Sequence, residues 1–431
     1  MEQLYSWKKN KNRKPLIIRG ARQVGKTWLM KEFGEKAYEK TVYINFDNNR
    51  QMEELFATDL NIERIIIGLE LYGGYKIDPM NTLLIFDEIQ EVPRALTSLK
   101  YFNENAPEYQ IMCAGSLLGV ALHPGTSFPV GKVEFLELYP LSFNEFMRGM
   151  GKERFADLME SPDYSMINTF RKEYEQLLKY YYFVGGMPEA VLRFAENKDF
   201  KEVRKIQQGI LAAYEQDFSK HAPNEVVPRI RMIWNSISSQ LTKENKKFVY
   251  GLVKEGSRAK DYEIALLWLV DCGLVHKVHR VTKPGLPLKA YEDLKAFKLF
   301  VLDVGLLSCM VKIDETVLLD GNDLFKEFKG ALTEQYVLQQ MKTLNNIETY
   351  YWTNDRASAE VDFLINIGMQ VIPLEVKAET NLKAKSLKTY CEKFHPTIAI
   401  RTSLSQYKRE DWLLNLPLWA VETIPSQVGE K

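Results

Sequence analysis

No charge of either sign predominates in this chain: lysine plus arginine and aspartate plus glutamate stand at 57 each in 431 residues. That balance excludes a global field drawing the protein onto nucleic acid or an anionic membrane, so any such binding must come from local patches. Cysteine is scarce. The four present, Cys113, Cys272, Cys309 and Cys391, lie far apart in mostly apolar contexts without CxxC spacing, which argues against zinc or a disulfide framework and for free thiols in a reducing compartment. No apolar run approaches the roughly 18 residues of a membrane span. The N-terminal MEQLYSWKKNKNRK is basic but is followed by no signal-peptide core, so the reading is cytoplasmic with no membrane partner. What remains is an ordinary globular composition, 45% hydrophobic and 26% charged, at a length suited to about three domains.

The first chemical signal is GARQVGKT: Gly20, Ala21, Arg22, Gln23, Val24, Gly25, Lys26 and Thr27. The pattern GxxxxGK[ST] cradles a polyphosphate only where a strand precedes it and a helix follows, because backbone N–H groups must converge at a helix N-terminus. Pro15 to Arg19 reads as a short buried strand, and KTWLMKEFGEKA carries apolar residues at helical spacing. In that setting Lys26 neutralises the β and γ phosphates, and Thr27 holds Mg²⁺.

A second element, TLLIFDEIQ, reads as a fully buried strand, Leu83 to Phe86, ending in Asp87 and Glu88. Such a strand delivers both carboxylates to the edge of a parallel sheet that also carries the phosphate loop. Asp87 is expected to hold Mg²⁺ through water, and Glu88 to orient or deprotonate the attacking water. TVYINFD (Thr41 to Asp47) and YQIMCAGS (Tyr109 to Ser116) fit the same sheet.

These residues resemble the AAA+ ATPases, in particular a prokaryotic branch with an RGARQVGKT-like loop, a DEIQ acidic strand end (Asp87 to Gln90), a GS pair (Gly115, Ser116) and an LYPLSFNEF segment (Leu138 to Phe146). The resemblance implies ATP and Mg²⁺ as cofactors, Ser116 as sensor of the γ-phosphate, and GGMPEAVLRF (Gly185 to Phe194) in a helical lid, with Arg193 a candidate second sensor. Members often carry Gly-Arg where this chain has Gly131-Lys132, which leaves an arginine finger unassigned.

Downstream of about Lys152 long mixed-charge helical patterns replace strands. From Arg229 to Met310 helices lead to VHKVHRV and the turn TKPGLPLKAY, an order resembling a winged helix, with Lys277, Arg280, Lys283 and Lys289 as candidate phosphate contacts. His276 and His279 match HxxH, but i and i+3 on a strand face opposite sides, which argues against a shared metal.

Near the C-terminus FKEFKGALTEQYVLQQM reads as a helix carrying Glu334. SAEVDFLINIGMQVIPLEVKAE reads as a hairpin turning at Gly368, with Asp362 on one strand and Glu375, Val376 and Lys377 on the other. Facing carboxylates repel unless a cation lies between them, and a hard divalent ion on Asp362, Glu375 and the Val376 carbonyl would serve, with Lys377 stabilising a nucleophilic hydroxide. This arrangement resembles the PD-(D/E)xK nucleases, especially the resolvase-like branch, with Glu334 as the helical carboxylate and without the usual proline before Asp362. NLKAKSLKTYCEKF adds Lys383, Lys385, Lys388 and Lys393 as a basic helix.

The expected fold is α/β: residues 1–150 an AAA+ P-loop core, 151–226 a helical lid, 227–312 a winged-helix-like module and 313–431 a restriction-endonuclease-like domain. The expected function is Mg²⁺-dependent ATP hydrolysis coupled to DNA binding or processing, with DNA and further copies of the chain as candidate partners. A nucleotide-gated switch whose C-terminal fold does not cut is the alternative. A small-molecule kinase, which also uses a P-loop, is disfavoured by the Asp87-Glu88 pair.

Overall fold

The apolar runs around the phosphate loop become a parallel sheet. Its strands are β1 (Leu16–Arg19), β2 (Lys40–Asn45), β3 (Thr82–Asp87), β4 (Gln110–Ala114) and β5 (Glu134–Glu137), in the order β2-β3-β4-β1-β5. The computed structural model describes residues 1–115, 128–161, 163–241, 243, 246–320, 326–344, 347–354, 359–379 and 384–429. It divides into two compact units, Met1–Leu138 with Asp271–Gly273, and Tyr139–Val270 with Leu274–Lys431.

Alternation along the strands of the first unit explains their unbroken apolar character. Leu16, Ile18, Leu83, Ile85 and Met112 face one layer, where Leu4, Trp7, Met30 and Phe33 cover them. Ile17, Leu84, Phe86, Ile111 and Cys113 face the other, against Ile65, Leu69, Leu99 and Phe102. A sheet covered on both faces has no polar side to present, which is why TLLIFD reads as a run rather than an alternation. Burial at ~25 cal/mol per Å² of apolar surface is the main term holding it together. All four cysteines are free, with Cys113, Cys272 and Cys309 buried.

The second unit carries β6 (Val275–Val281), β7 (Glu292–Val301), β8 (Thr349–Thr353), β9 (Glu360–Ile367), β10 (Gln370–Val376), β11 (Ala399–Ser403), β12 (Lys408–Arg409) and β13 (Leu413–Pro417). They form one mixed sheet in the order β12-β13-β11-β10-β9-β8-β6-β7. This differs from a free-standing wing. The β6–β7 hairpin expected in a separate 227–312 module joins the C-terminal strands, because the edge of β6 pairs in parallel with β8 from His279↔Tyr350 to Val281↔Trp352. β6 is paired on both edges, with β7 and with β8, and is therefore an interior strand of that sheet, with Val275, Val278 and Val281 buried.

Helices dominate residues 143–241, as the mixed-charge patterns predict. The GG of the expected lid segment has a local cause. Gly186 N–H donates to Asp303 Oδ2 at 2.7 Å, and Asp303 also caps the helix Val304–Met310 through Leu306 N–H. A Cβ on Gly186 would lie 2.1 Å from the Leu141 carbonyl oxygen, so only glycine permits that approach. Among the described residues no helix is long and apolar enough to cross a membrane.

Candidate active site

The phosphate loop is shaped by three residues with positive φ: Gly20 at +145°, Gln23 at +67° and Gly25 at +96°. Left-handed turns of this kind aim successive N–H groups into one concavity. The helix Lys26–Ala37 starts directly from Gly25, adding its N-terminal donors. Ala21 and Val24 are buried beneath the loop while Arg22 and Gln23 are exposed. Lys26 is only 8% exposed, and its ammonium donates to the Gly20 and Ala21 carbonyls at 2.9 and 2.8 Å. Desolvation lowers its pKa to about 8 against the opposing pull of Glu88 and Asp87. A Cβ on Gly20 would meet the Leu138 carbonyl oxygen at 2.2 Å. Gly20→Ala is therefore expected to distort the loop and weaken nucleotide binding by about tenfold or more, consistent with a strain cost of about 1–3 kcal/mol. Titration with a fluorescent ATP analogue checks this.

Thr27, at the first turn of that helix, donates from Oγ1 to Asp87 Oδ2 at 2.6 Å. Tyr43, on β2, donates to the same oxygen at 3.0 Å. Asp87 is 5% exposed at the end of β3. The hydroxyl and the carboxylate expected around Mg²⁺ thus converge from two elements, and both are hard oxygen donors. Mg²⁺ is commonly held by one or two protein oxygens with water and phosphate completing the shell, so the site fits it. Glu88 follows at φ 51° and ψ 43°, an uncommon conformation for a side-chain-bearing residue. Its Oε2 accepts from Gln90 Nε2 at 2.6 Å.

Sequence reasoning missed Tyr43 altogether and saw Gln90 only as a letter of DEIQ. The available signals were a tyrosine between the buried Val42 and Ile44 of β2 and a glutamine directly after the acidic strand end. β4, the strand that leads toward Ser116, lies between β1 and β3, but Ser116 itself lies outside the described residues. Arg193 pairs with Glu196 at 2.8 Å with both side chains roughly half exposed, the environment of an ordinary solvated charge.

A P-loop nucleotide-binding domain is what this sheet, loop and acidic strand end define. Residues 12–147 match the family model described as an AAA domain, and this part of the chain is an AAA-type P-loop ATPase domain. Residues 175–317 and 329–421 match models described as domains of unknown function, DUF8612 and DUF4143. No curated protein matches the chain. Among solved structures, a Walker-type ATPase of Pyrococcus abyssi is 14% identical, with 72% of this chain and 94% of that one covered, at a TM-score of 0.45. The RuvB Holliday junction branch migration motor of Thermotoga maritima is 14% identical over 67% and 89%, at 0.29. Cdc6p from Pyrobaculum aerophilum is 14% identical over 74% and 91%, at 0.24. These likenesses are weak, and the assignment rests on the AAA match together with the geometry of the loop.

In the second unit Glu334, Asp362, Glu375 and Lys377 do gather. Glu334 lies on the helix Lys326–Thr343, Asp362 on β9 and Glu375 on β10. Lys377 pairs with Glu375 at 2.6 Å, and Asp362 Oδ2 accepts the Val376 N–H at 2.8 Å. Sequence reasoning missed the cations between them. Lys298, wholly buried on β7, pairs with Glu360 and lies 3.7 Å from Glu334 Oε2. Lys246 pairs with Glu334 Oε1. The signal for Lys298 was a lysine inside the apolar run KAFKLFV.

Burial, then Glu334 and Glu375, push the Asp362 carboxyl well above the usual carboxylate range. Burial acts on Glu334 in the same direction, but Lys246 and Lys298 outweigh it and hold that carboxyl low. Glu375 is raised by burial against the pull of Lys377. Among the described residues no group of three or more His, Cys, Asp and Glu is arranged to cage a metal. Yet Glu334 Oε2 and Glu375 Oε2 are buried without a hydrogen-bond partner among those residues, and two such orphaned oxygens fit a hard cation. Of the basic residues expected to meet phosphate, Arg280 is paired with Asp293 at 2.5 Å and Lys277 lies 4.2 Å from the Phe297 ring centre. Lys388 is 3.8 Å from Glu392, and Lys383 lies outside the described residues.

Proposed function

We propose that this chain binds ATP with Mg²⁺ at Gly20–Thr27, hydrolyses it with Glu88 as the base, and uses the cycle to act on DNA through its C-terminal half. The observation that carries the hydrolytic part is the meeting of Thr27 Oγ1 and Asp87 Oδ2 at 2.6 Å beside Glu88 and Lys26. Mg²⁺ held there would neutralise charge on the β and γ phosphates. Lys26 would leave its two loop carbonyls for phosphate oxygens, Tyr43 would keep Asp87 oriented, and Glu88 would take a proton from water. Ser116 remains the proposed γ-phosphate sensor. An arginine from a further copy of the chain would complete the site in a homo-oligomer.

For the C-terminal cluster we propose a nuclease-like site in which Asp362 and Glu375 hold a divalent ion, Lys377 stabilises developing negative charge, and Glu334 orients from the helix. Three carboxylates and a lysine on a helix and two strands support it. The lysines seated among the carboxylates favour the second reading, a nucleotide-gated module with a retained but non-cleaving fold. The lid assignment for 151–226 belongs to the same proposal, as does a winged-helix-like reading of 227–312 narrowed to its helices and a hairpin that shares its sheet with the C-terminal strands.

The test is ATP turnover with no DNA and with single-stranded, duplex and branched DNA, using Lys26→Ala as the binding-deficient control. Turnover that DNA stimulates supports the full reading. A flat response across substrates and salt removes DNA, and a Lys26→Ala chain as active as wild type removes the hydrolytic site. Plasmid incubated with Mg²⁺ or Mn²⁺ separates the two C-terminal readings: nicking that Glu375→Ala abolishes supports cleavage.

Lys26 also sets a pH dependence. Its pKa of about 8 in the nucleotide-free protein must rise when phosphate arrives, since an anion favours the charged ammonium. At pH 7 the lysine is already protonated, whereas above pH 8 binding must take up a proton. ATP affinity is therefore expected to fall with rising pH above 8, by up to about tenfold per unit. Calorimetry in buffers of different ionisation heat should detect that proton uptake at pH 9 and not at pH 7.

A further inference from the structure

Gln90 lies in the single 3-10 turn Ile89–Glu91 that follows the acidic pair. Its side chain is 7% exposed, and its amide nitrogen donates to Glu88 Oε2 at 2.6 Å. The other end of the amide is unsupported: Oε1 is buried with no hydrogen-bond partner among the described residues. A buried carbonyl without a donor disfavours the fold relative to an apolar side chain of the same shape. Stability is therefore a poor reason for a glutamine here. Its one resolved side-chain hydrogen bond goes to the carboxylate expected to do the chemistry.

The backbone is bent to make that bond. Glu88 adopts a left-handed conformation, and its N–H is held by Asp87 Oδ1 at 3.1 Å, so the side chain of residue 88 returns toward residue 90. Strain of this kind persists where the surroundings enforce it, commonly at functional sites. A glutamate has three rotatable side-chain bonds, and a base must aim one lone pair along the line to its proton. A donor fixed on a tight turn removes that freedom before water arrives.

We infer that Gln90 is a positioning residue for ATP hydrolysis, its amide fixing the Glu88 carboxylate in the orientation that accepts the proton of the attacking water. The inference rests on the ATPase reading above. In the step it serves, the water oxygen bonds to the γ-phosphorus, the proton passes to Glu88, and the bond from phosphorus to the bridging oxygen breaks to release ADP.

Gln90→Met keeps the shape and removes both the donor and the orphaned oxygen. Wild type, Gln90→Met, Glu88→Gln and the double variant are compared in turnover, in affinity for an ATP analogue and in thermal unfolding. Gln90→Met is expected to unfold at the same temperature or higher and to bind the analogue unchanged. Its kcat should fall about 10- to 100-fold with KM unaltered. Added to Glu88→Gln, it should change residual turnover by less than about twofold, because a residue that acts through Glu88 has nothing left to orient. Unchanged kcat in Gln90→Met, parallel losses of stability and affinity, or multiplying losses in the double variant would each overturn the inference. A wild-type chain without ATP turnover sinks the hydrolytic reading and this inference with it; active wild type beside fully active Gln90→Met sinks this inference alone.

Discussion

Glu88→Gln is expected to lower ATP turnover by about 10²- to 10⁴-fold, the range for losing a positioned general base, while leaving nucleotide affinity nearly unchanged. The asymmetry follows from where each contact is made. In the proposed site phosphate would be held by the loop's left-handed residues and by Lys26, and the metal by Thr27 and Asp87, whose oxygens meet at 2.6 Å; none of these is altered by exchanging one carboxylate oxygen for an amide nitrogen. What disappears is the acceptor for water's proton, an interaction made only as the transition state forms, so kcat falls and KM does not. Lys26→Ala should show the reverse order of effects, with binding lost first. Single-turnover hydrolysis beside equilibrium binding of labelled ATP distinguishes the two. A Glu88→Gln chain that hydrolyses within a few-fold of wild type would show that some other group activates the water.

The parts of this site that could be read from sequence are those whose geometry is local. A glycine-bounded loop between an apolar run and an amphipathic helix, and a four-residue apolar run ending in two carboxylates, each carry their context within about a dozen residues. The structure has Leu16–Arg19, Lys26–Ala37 and Thr82–Asp87 accordingly. The hairpin turning at Gly368 was legible for the same reason, since φ of +57° suits glycine. The placement of β6 was not, because its partner β8 is some seventy positions away, His279 opposite Tyr350, and a strand shows its alternation but not its neighbour. Tyr43 and Lys298 escaped for a related reason. A polar group in an apolar strand looks like noise until the carboxylate that it meets is brought in from another element.

Lys298→Met is expected to destabilise the second unit by about 3–5 kcal/mol, the cost of removing one partner from a buried ion pair. Lys298 is wholly buried, and its ammonium faces Glu360 and Glu334 with the Tyr351 ring centre 4.9 Å away. Burial alone would lower its pKa, yet Glu360, Glu334 and Asp362 together raise it above the ordinary lysine value; the charged form is the one the fold is built around. Methionine matches the stem in volume but leaves Glu334, 6% exposed, with Lys246 as its remaining close cation. The carboxylates must then hold protons that they release in the unfolded chain. Stability of the variant should therefore fall further below wild type as pH rises from 5 to 8, since a raised carboxylate pKa contributes stability at low pH that is lost on deprotonation. Denaturant unfolding at the two pH values measures the difference. Adding Mg²⁺ extends the comparison to the proposed metal role, for a divalent ion able to enter among Glu334, Asp362 and Glu375 would restore the variant more than wild type. Equal stability of the two proteins at pH 8 would mean that Lys298 does not hold this cluster together.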